Sequence, residues 1–411
     1  MGYKILLFFI LLLIFVFIRY KTSKLNLPSN STIELKAILW SKPQKIYGEY
    51  RFSVEDFYVR VPISNFDHNI QIGNTIKVKG AVERKYNKYF VSASGVSLVK
   101  DTFIGAVRRY LYSVNQSACA VIRKNFPEPH ASLLLGILLG VKSDLPPEFN
   151  DRLVNTGTIH VVVVSGYNIS VLLTTLIPLF YIFGKRLGLP LVLLSLLIYV
   201  VLVGGDPPVI RAAIMGLIAM LGVSKGRQKE SLYLLLLVAF IMIMFNPRYV
   251  TNISFMLSFA ATLGLILFNS RISGVIPFDM FGLKEDLSAT ISAQIMVAPI
   301  LMYYFGKISI ISVFVNFLSL WVIEYATILG IAVLFLSPIP LLSPLINFIE
   351  FVLLNYFIFT INLFGSAFNN LLEVKLNGIF VIAYYIITFS VLFLWDSLKI
   401  WSNQRHLDTK K

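Results

Sequence analysis

Two periodicities divide the chain. Between residues 30 and 100, apolar and polar positions alternate in short runs at 33–40, 50–54 and 57–61, each closed by turn-forming residues. Alternation of this kind predicts half-buried strands, so the region is expected to be a small β domain. Its clearest stretch starts at the Gly73-Asn74 turn and alternates through Thr75, Ile76, Lys77, Val78 and Lys79 to Val82. Residues 85–88 follow as a predicted hairpin turn and 89–93 as the returning strand, a layout that resembles an OB-fold barrel.

From Thr102 to Phe126 the period becomes helical. Phe103, Val107, Tyr110, Leu111, Val114 and Ala118 fall toward one side, and Arg108, Arg109, Asn115 and Gln116 toward the other. An amphipathic helix over 102–126 lies either in the headgroup plane of a bilayer or against a membrane bundle. Beyond it, nine largely apolar windows follow at 161–183, 187–203, 209–224, 231–245, 253–268, 289–305, 308–336, 345–368 and 376–395. A helix needs roughly 20 apolar residues to cross the hydrocarbon core, so these windows predict a transmembrane domain over 130–396 and a tail over 397–411. Pro338, Pro340 and Pro344 separate two spans that hydropathy alone would nearly merge. Near the N-terminus, residues 5–18 are 14 consecutive apolar positions, with Arg19, Lys21 and Lys24 directly behind them. The small residues Ser29 and Ser31 lie beyond that basic group, and residues 1–24 are read as an uncleaved anchor.

Composition agrees with this pattern. The chain is 57% apolar and 14% charged, with a mean hydropathy of +0.76, where soluble domains carry about 25% charge. The expected fold is a polytopic α-helical membrane protein with a small all-β, OB-like domain outside the cytoplasm. Lys and Arg in the termini and short loops set the orientation. Twelve fall on the side of the N-terminus (Lys4, Lys185, Arg186, Lys225, Arg227, Lys229, Arg271, Lys284, Lys399, Arg405, Lys410 and Lys411), and three on the other (Arg248, Lys307 and Lys375). The positive-inside rule then places both termini in the cytoplasm and the β domain outside.

The whole chain carries 36 basic against 21 acidic residues, a balance that suits anionic lipid or nucleic acid. Within 30–100 the ratio is eleven to six, with aromatic residues interleaved. Cations beside aromatic faces are what sequence-tolerant single-strand binding requires, which makes Trp40, Arg51, Lys77, Lys79, Arg84, Lys85, Tyr86, Lys88 and Tyr89 candidates for DNA binding. The same aromatics also suit a barrel core and the same lysines a solvated face. Cys119 is alone, and His68, His130, His160 and His406 are too scattered for a zinc site, so neither a metal nor another cofactor is expected.

Polar residues inside or beside the spans are the other candidates, because ionisable groups in lipid are costly and usually face a cavity or a partner. They are Thr156-Gly157-Thr158-Ile159-His160 leading into Ser165-Gly166-Tyr167-Asn168, then Arg211, then Asn252 to Ser258, and Glu324 in the middle of a span. Gly136-Ile137-Leu138-Leu139-Gly140 precedes this group. Val209 to Met215, Asn246-Pro247 with Ser254 to Thr262, and Pro299 ahead of Phe305-Gly306 and Asn316 run through it in order. In this ordered set the chain resembles the ComEC competence proteins over about 133–320, and its anchor and OB-like domain are similar to theirs.

The resemblance implies a channel component that passes single-stranded DNA across the bacterial cytoplasmic membrane in natural transformation, working with membrane lipid and with separate DNA-uptake or motor proteins. With the resemblance, His160, Ser165, Gly166, Asn168 and Arg211 are candidates for the DNA path, as is Glu324 from its place inside a span, and no enzyme is implied. The alternative roles are packing for His160, close helix contact for Ser165-Gly166, snorkelling to the interface for Arg211 and a structural partnership for Glu324. Many relatives carry a second histidine where this chain has Asn168. Many also have a metallo-β-lactamase-like domain, and its HxHxDH motif does not occur here, so degradation of a strand is expected to fall to a separate nuclease. Two rival readings are an intramembrane hydrolase using Ser165 with His160 as base, and a transporter of another anionic polymer. The five-residue spacing of His160 and Ser165 and the lack of Gly-x-Ser-x-Gly weaken the first.

The charge count carries a direct test of orientation. A reporter fused after Lys411 should read as cytoplasmic and one inserted beside Asn87 as external, and the opposite pattern would reverse the topology.

Overall fold

Strand alternation in the β domain sorts its side chains into two faces. A computed structural model describes residues 31–408 apart from 40–42, 47, 55–56, 68–69, 86–87, 101, 142–144, 163–165, 225–230, 278–282 and 368–370. The anchor over 1–24 and the candidates Trp40, Tyr86 and Ser165 therefore lie outside the described residues. Six strands, β1 (Thr32–Ile38), β2 (Gln44–Ile46), β3 (Glu49–Val54), β4 (Phe57–Pro62), β5 (Thr75–Lys85) and β6 (Lys88–Lys100), form one sheet in the order β1-β5-β6-β4-β3-β2. All neighbours are antiparallel except β4 and β6. This is an all-β region consistent with the OB-like expectation. Val54, Phe57, Val59, Val61, Ile76, Val78, Val82, Val91 and Val96 point to a common core, where burial of apolar surface stabilises the sheet.

The helices follow as α1 (Phe103–Asn125), α2 (His130–Leu139), α3 (Pro147–Thr156), α4 (Gly166–Tyr181), α5 (Lys185–Val203), α6 (Pro207–Ser224), α7 (Ser231–Phe245), α8 (Ile253–Val275), α9 (Leu283–Tyr304), α10 (Ser312–Leu336), α11 (Ser343–Ala367) and α12 (Gly378–Asp408). Six of them, within α5 and α8–α12, are long and apolar enough to cross a membrane. α2, α4, α6 and α7 are apolar but shorter. At the start of the window expected at 161–183, Ile159–Val161 form a single 3-10 turn, and from Gly166 the described chain is α4. α12 runs on through Asp408, so the segment expected as a tail is largely helical, beyond the apolar window that ends at Trp395.

α1 runs alongside the bundle, from the C-terminal end of α5 to the turn between α10 and α11. Arg108 and Asn115 donate to the Val201 and Leu202 carbonyls at the end of α5, and Asn125 donates to Ser337 while accepting from Asn347. Its polar side thus faces inward to satisfy helix-end carbonyls, while Phe103, Val107 and Tyr110 point away from the bundle. Cys119, Ile122 and Phe126 join the core built around α2, in which every residue from His130 to Leu139 is buried. A two-stranded clip, β7 (Lys307–Ser309) with β8 (Leu371–Glu373), ties the α9–α10 and α11–α12 connections together, with Lys307 paired to Glu373 at 2.7 Å.

The β domain meets the first turn of α1 through a close backbone contact. Gly73, at φ +86°, and Gly105 meet so closely that a Cβ on either would collide with the other's carbonyl oxygen. Alanine is normally the better helix residue by about 1 kcal/mol. Gly105→Ala should nevertheless destabilise the folded chain by about 1–3 kcal/mol through overpacking. Gly95→Ala, where a Cβ meets nothing within 4 Å, should leave thermal unfolding of the purified protein unchanged.

Candidate functional site

A short helix that ends inside an apolar bundle leaves its last carbonyls without intrahelical partners, and here they are capped from neighbouring helices. Asn168, fully buried at the start of α4, donates its side-chain amide to the Ile137 carbonyl at 2.7 Å. The Tyr199 hydroxyl on α5 donates to the adjacent Leu138 carbonyl at 3.1 Å. On the other side of α2, a Cβ on Gly136 would strike the Val162 carbonyl. The first of the sequence motifs is thereby held against the second.

The second motif also touches the third and the last. Gly157, at φ +73°, ends α3 in a conformation glycine adopts freely, and a Cβ there would collide with Ser312 at the start of α10. Nearby, Ser309 donates to the Asn155 carbonyl at 2.7 Å, and the buried hydroxyls of Thr156 and Thr158 lie 2.8 Å apart. The His160 ring is exposed, and its Nδ1 donates to the Gly157 carbonyl at 3.0 Å. Gly166 opens α4 directly against Arg211 of α6, where a Cβ would meet the Arg211 Nη2 and the Ala212 Cβ. Ser165, the other half of the proposed hydrolase pair, lies outside the described residues.

Arg211 joins the third motif to the fourth. Its Nη1 donates to the Thr262 hydroxyl on α8, Thr262 donates in turn to the Ser258 carbonyl at 3.1 Å, and the guanidinium stands 6.0 Å from the centre of the Phe259 ring. The Arg211 Nε is buried with no partner among the described residues. The side chain therefore packs from α6 against α4 and α8. Glu324, halfway along α10, accepts a hydrogen bond from Tyr167 of α4 at 3.0 Å. Asn316 is buried with its Oδ1 lacking a partner among the described residues.

One acid escaped the sequence reading. Glu350 of α11 is 0% exposed, and neither carboxyl oxygen has a partner among the described residues. Its signal was present as the single acid inside that apolar run.

In the β domain the register redistributes the expected candidates. Tyr89 pairs with Phe57, 5.7 Å between rings, and packs on the margin of the core, so it is removed from the outer face. Its neighbour Phe90 points outward instead and stacks on Tyr58 at 5.4 Å, with Tyr58 45% exposed. Arg60, also outward, donates to Ser92 at 2.9 Å and reaches Glu83 at 3.8 Å, while Arg51 reaches Glu49 at 3.6 Å. Across the sheet, Glu34 on β1 receives Lys77 at 2.5 Å and Lys79 at 3.1 Å. These bonds, Lys77 first, hold the Glu34 carboxyl below its ordinary range. Arg84, Lys85 and Lys88 flank the β5–β6 hairpin in the backbone register. The outer face thus presents a stacked aromatic pair between two groups of cations, each group partly neutralised by a carboxylate.

Among the described residues, no group of three or more metal-ligating side chains gathers. The family described as Competence protein matches residues 137–398. A protein called ComE operon protein 3, from Bacillus subtilis, is 34% identical over 168 residues, which is 39% of this chain and 21% of that protein. An uncharacterized protein of Aquifex aeolicus is 32% identical over 201 residues, 47% of this chain and 46% of that protein. The matches therefore span less than half the length of these relatives. No solved structure gives a significant match.

The capping bond at the centre of this arrangement is open to test. Asn168→Leu removes the donor to the buried Ile137 carbonyl and should lower stability by about 1–3 kcal/mol, read as thermal unfolding in detergent.

Proposed function

Because this chain belongs to the Competence protein family, we propose that it is a channel component passing single-stranded DNA across the bacterial cytoplasmic membrane. The observation that carries this reading is the outer face of the β sheet, where the Tyr58–Phe90 pair lies between Arg51 with Arg60 and Lys77 with Lys79. Rings take the faces of successive bases and the cations track phosphates, without reference to sequence. Lys36, cross-strand from Lys77, and the hairpin residues Arg84, Lys85 and Lys88 extend the basic rim in register. The charge asymmetry of the loops supports a β domain outside and termini inside, so the strand is received before it meets the bundle.

The motif cluster then serves as the membrane part of the path. Arg211 brings a cation to the junction of α4, α6 and α8, packed against Gly166, whose missing side chain leaves the room that the guanidinium occupies. In this reading the chain moves a strand without breaking a bond, and a separate nuclease and separate DNA-uptake or motor proteins supply degradation and force. Lipid is its solvent along the apolar helices.

Glu34 sets the pH behaviour of the receiving face. Its folded pKa is depressed, so the Lys77 and Lys79 pairs contribute above the unfolded value, about 4.3, and are lost as pH falls through the lower folded value. Full-length protein should bind single-stranded DNA with an affinity that drops steeply as salt rises. Tyr58→Ala should weaken binding by about 1–3 kcal/mol as a stacking contact is lost, and Glu34→Gln should strengthen it by freeing both lysines. Binding that ignores salt and all three changes, including Arg60→Ala, would sink the reading.

A further inference from the structure

We propose that one stripe of α10, together with Tyr167 of α4, is the water-filled wall of the membrane path, and that its aromatic rings take the unstacked bases of a single strand. This rests on the DNA-channel reading above and names the face within the bundle that would meet the substrate.

α10 is the most buried of the long apolar helices and packs against α1, α2, α4, α9 and α11. Phe314, Trp321 and Tyr325, at spacings of seven and four, form a stripe left uncovered among the described residues. Tyr325 is 55% exposed and Phe314 52%. Ring contacts continue the stripe onto α11: Phe314 meets Phe364 edge-on at 5.4 Å, and Trp321 lies 5.4 Å from Tyr356 and 6.2 Å from Tyr325.

An uncovered stripe on a membrane helix ordinarily faces lipid, and Glu324 argues against that here. The carboxylate sits beside Tyr325, halfway along the helix and only partly covered, and its partner is the hydroxyl of Tyr167, itself 44% exposed. A carboxylate at this depth is costly in hydrocarbon and faces a wet cavity or a partner. The hydrogen bond leaves the second carboxyl oxygen available, and water satisfies it where lipid cannot. Tyr167 also lies between Gly166, which touches Arg211, and Asn168, which caps α2, so the stripe is continuous with the motif cluster. Phosphates have a cation at Arg211 and bases have rings along α10. The Glu324 carboxylate adds an acceptor of the kind that exocyclic amino groups use.

Cysteine accessibility decides the matter, because Cys119 is the chain's single cysteine and is buried. In full-length protein carrying Cys119→Ser in liposomes, a charged, membrane-impermeant thiol reagent should modify Tyr325→Cys and Phe314→Cys but not Ile386→Cys on α12. Single-stranded DNA should slow both reactions, and Tyr325→Ala should cut strand translocation about tenfold, the loss of one stacking contact. Modification of both positions only by a lipid-soluble maleimide would overturn the proposal. Modification by the charged reagent with no protection, in protein that binds single-stranded DNA on its β domain, would overturn the base-stacking role. Protein that binds no single-stranded DNA at all fails the channel reading instead, while the charged reagent still decides whether the stripe is wet.

Discussion

The bundle is organised by a short helix whose buried C-terminal carbonyls are capped from its neighbours. α2 has ten residues, all buried, and its C-terminal carbonyls point into an apolar interior. An unsatisfied carbonyl there costs several times what it would at a surface, so donors must come from other helices. Asn168 and Tyr199 provide them, and in doing so they fix how α4 and α5 sit against α2. Much of the polar architecture follows outward from that point: Gly166 and Tyr167 flank Asn168 in sequence, and through them α4 meets Arg211 on α6 and Glu324 on α10. A hydrogen-bond donor at position 168 is what the Ile137 carbonyl demands, and the Asn168 amide supplies it.

Small residues do the complementary work. At Gly136, Gly157 and Gly166 a single added methyl would meet the Val162 carbonyl, the Ser312 side chain and the Arg211 guanidinium, and lipid offers no hydrophobic drive to compensate. The signature that spans 156–168 therefore alternates two tasks within a few residues, close approach by glycine and capping or tethering by Asn168 and Tyr167. Arg211 and Thr262 extend the same logic to α8, with a guanidinium that binds one hydroxyl and lies over one ring.

Much of this was legible in the sequence, for reasons of period and length. Alternation over 75–82 and uncharged windows near membrane length pointed to a sheet and a set of spans because each signal repeats over many residues. α2 left no such trace: ten apolar residues are too few to cross a membrane, and what makes it important is where it ends. Tyr89 stayed undecided between core and outer face for a subtler reason. Two adjacent aromatics, Tyr89 and Phe90, both suit a half-buried strand, and only pairing with Phe57 and Tyr58 decides which ring faces out. Register shifts in β5, between Thr75 and Ile76 and between Lys79 and Gly80, break the count that might have settled it from one strand alone. Which face of α1 turns to the bundle was not legible, because part of its polar side is matched to helix-end carbonyls, partners that no single-chain pattern reveals.

The contact between Gly73 and Gly105 has a consequence for how the two halves of the molecule communicate. A domain on a flexible linker samples a volume, and the local concentration of anything it holds falls as the linker lengthens. Here two glycine backbones interlock with no side chain between them to act as a bearing, so the sheet has little freedom to swing about the first turn of α1. Whatever lies on the outer face of the sheet is presented to the helices at one distance and one angle, and its encounter with them is a matter of geometry rather than of search.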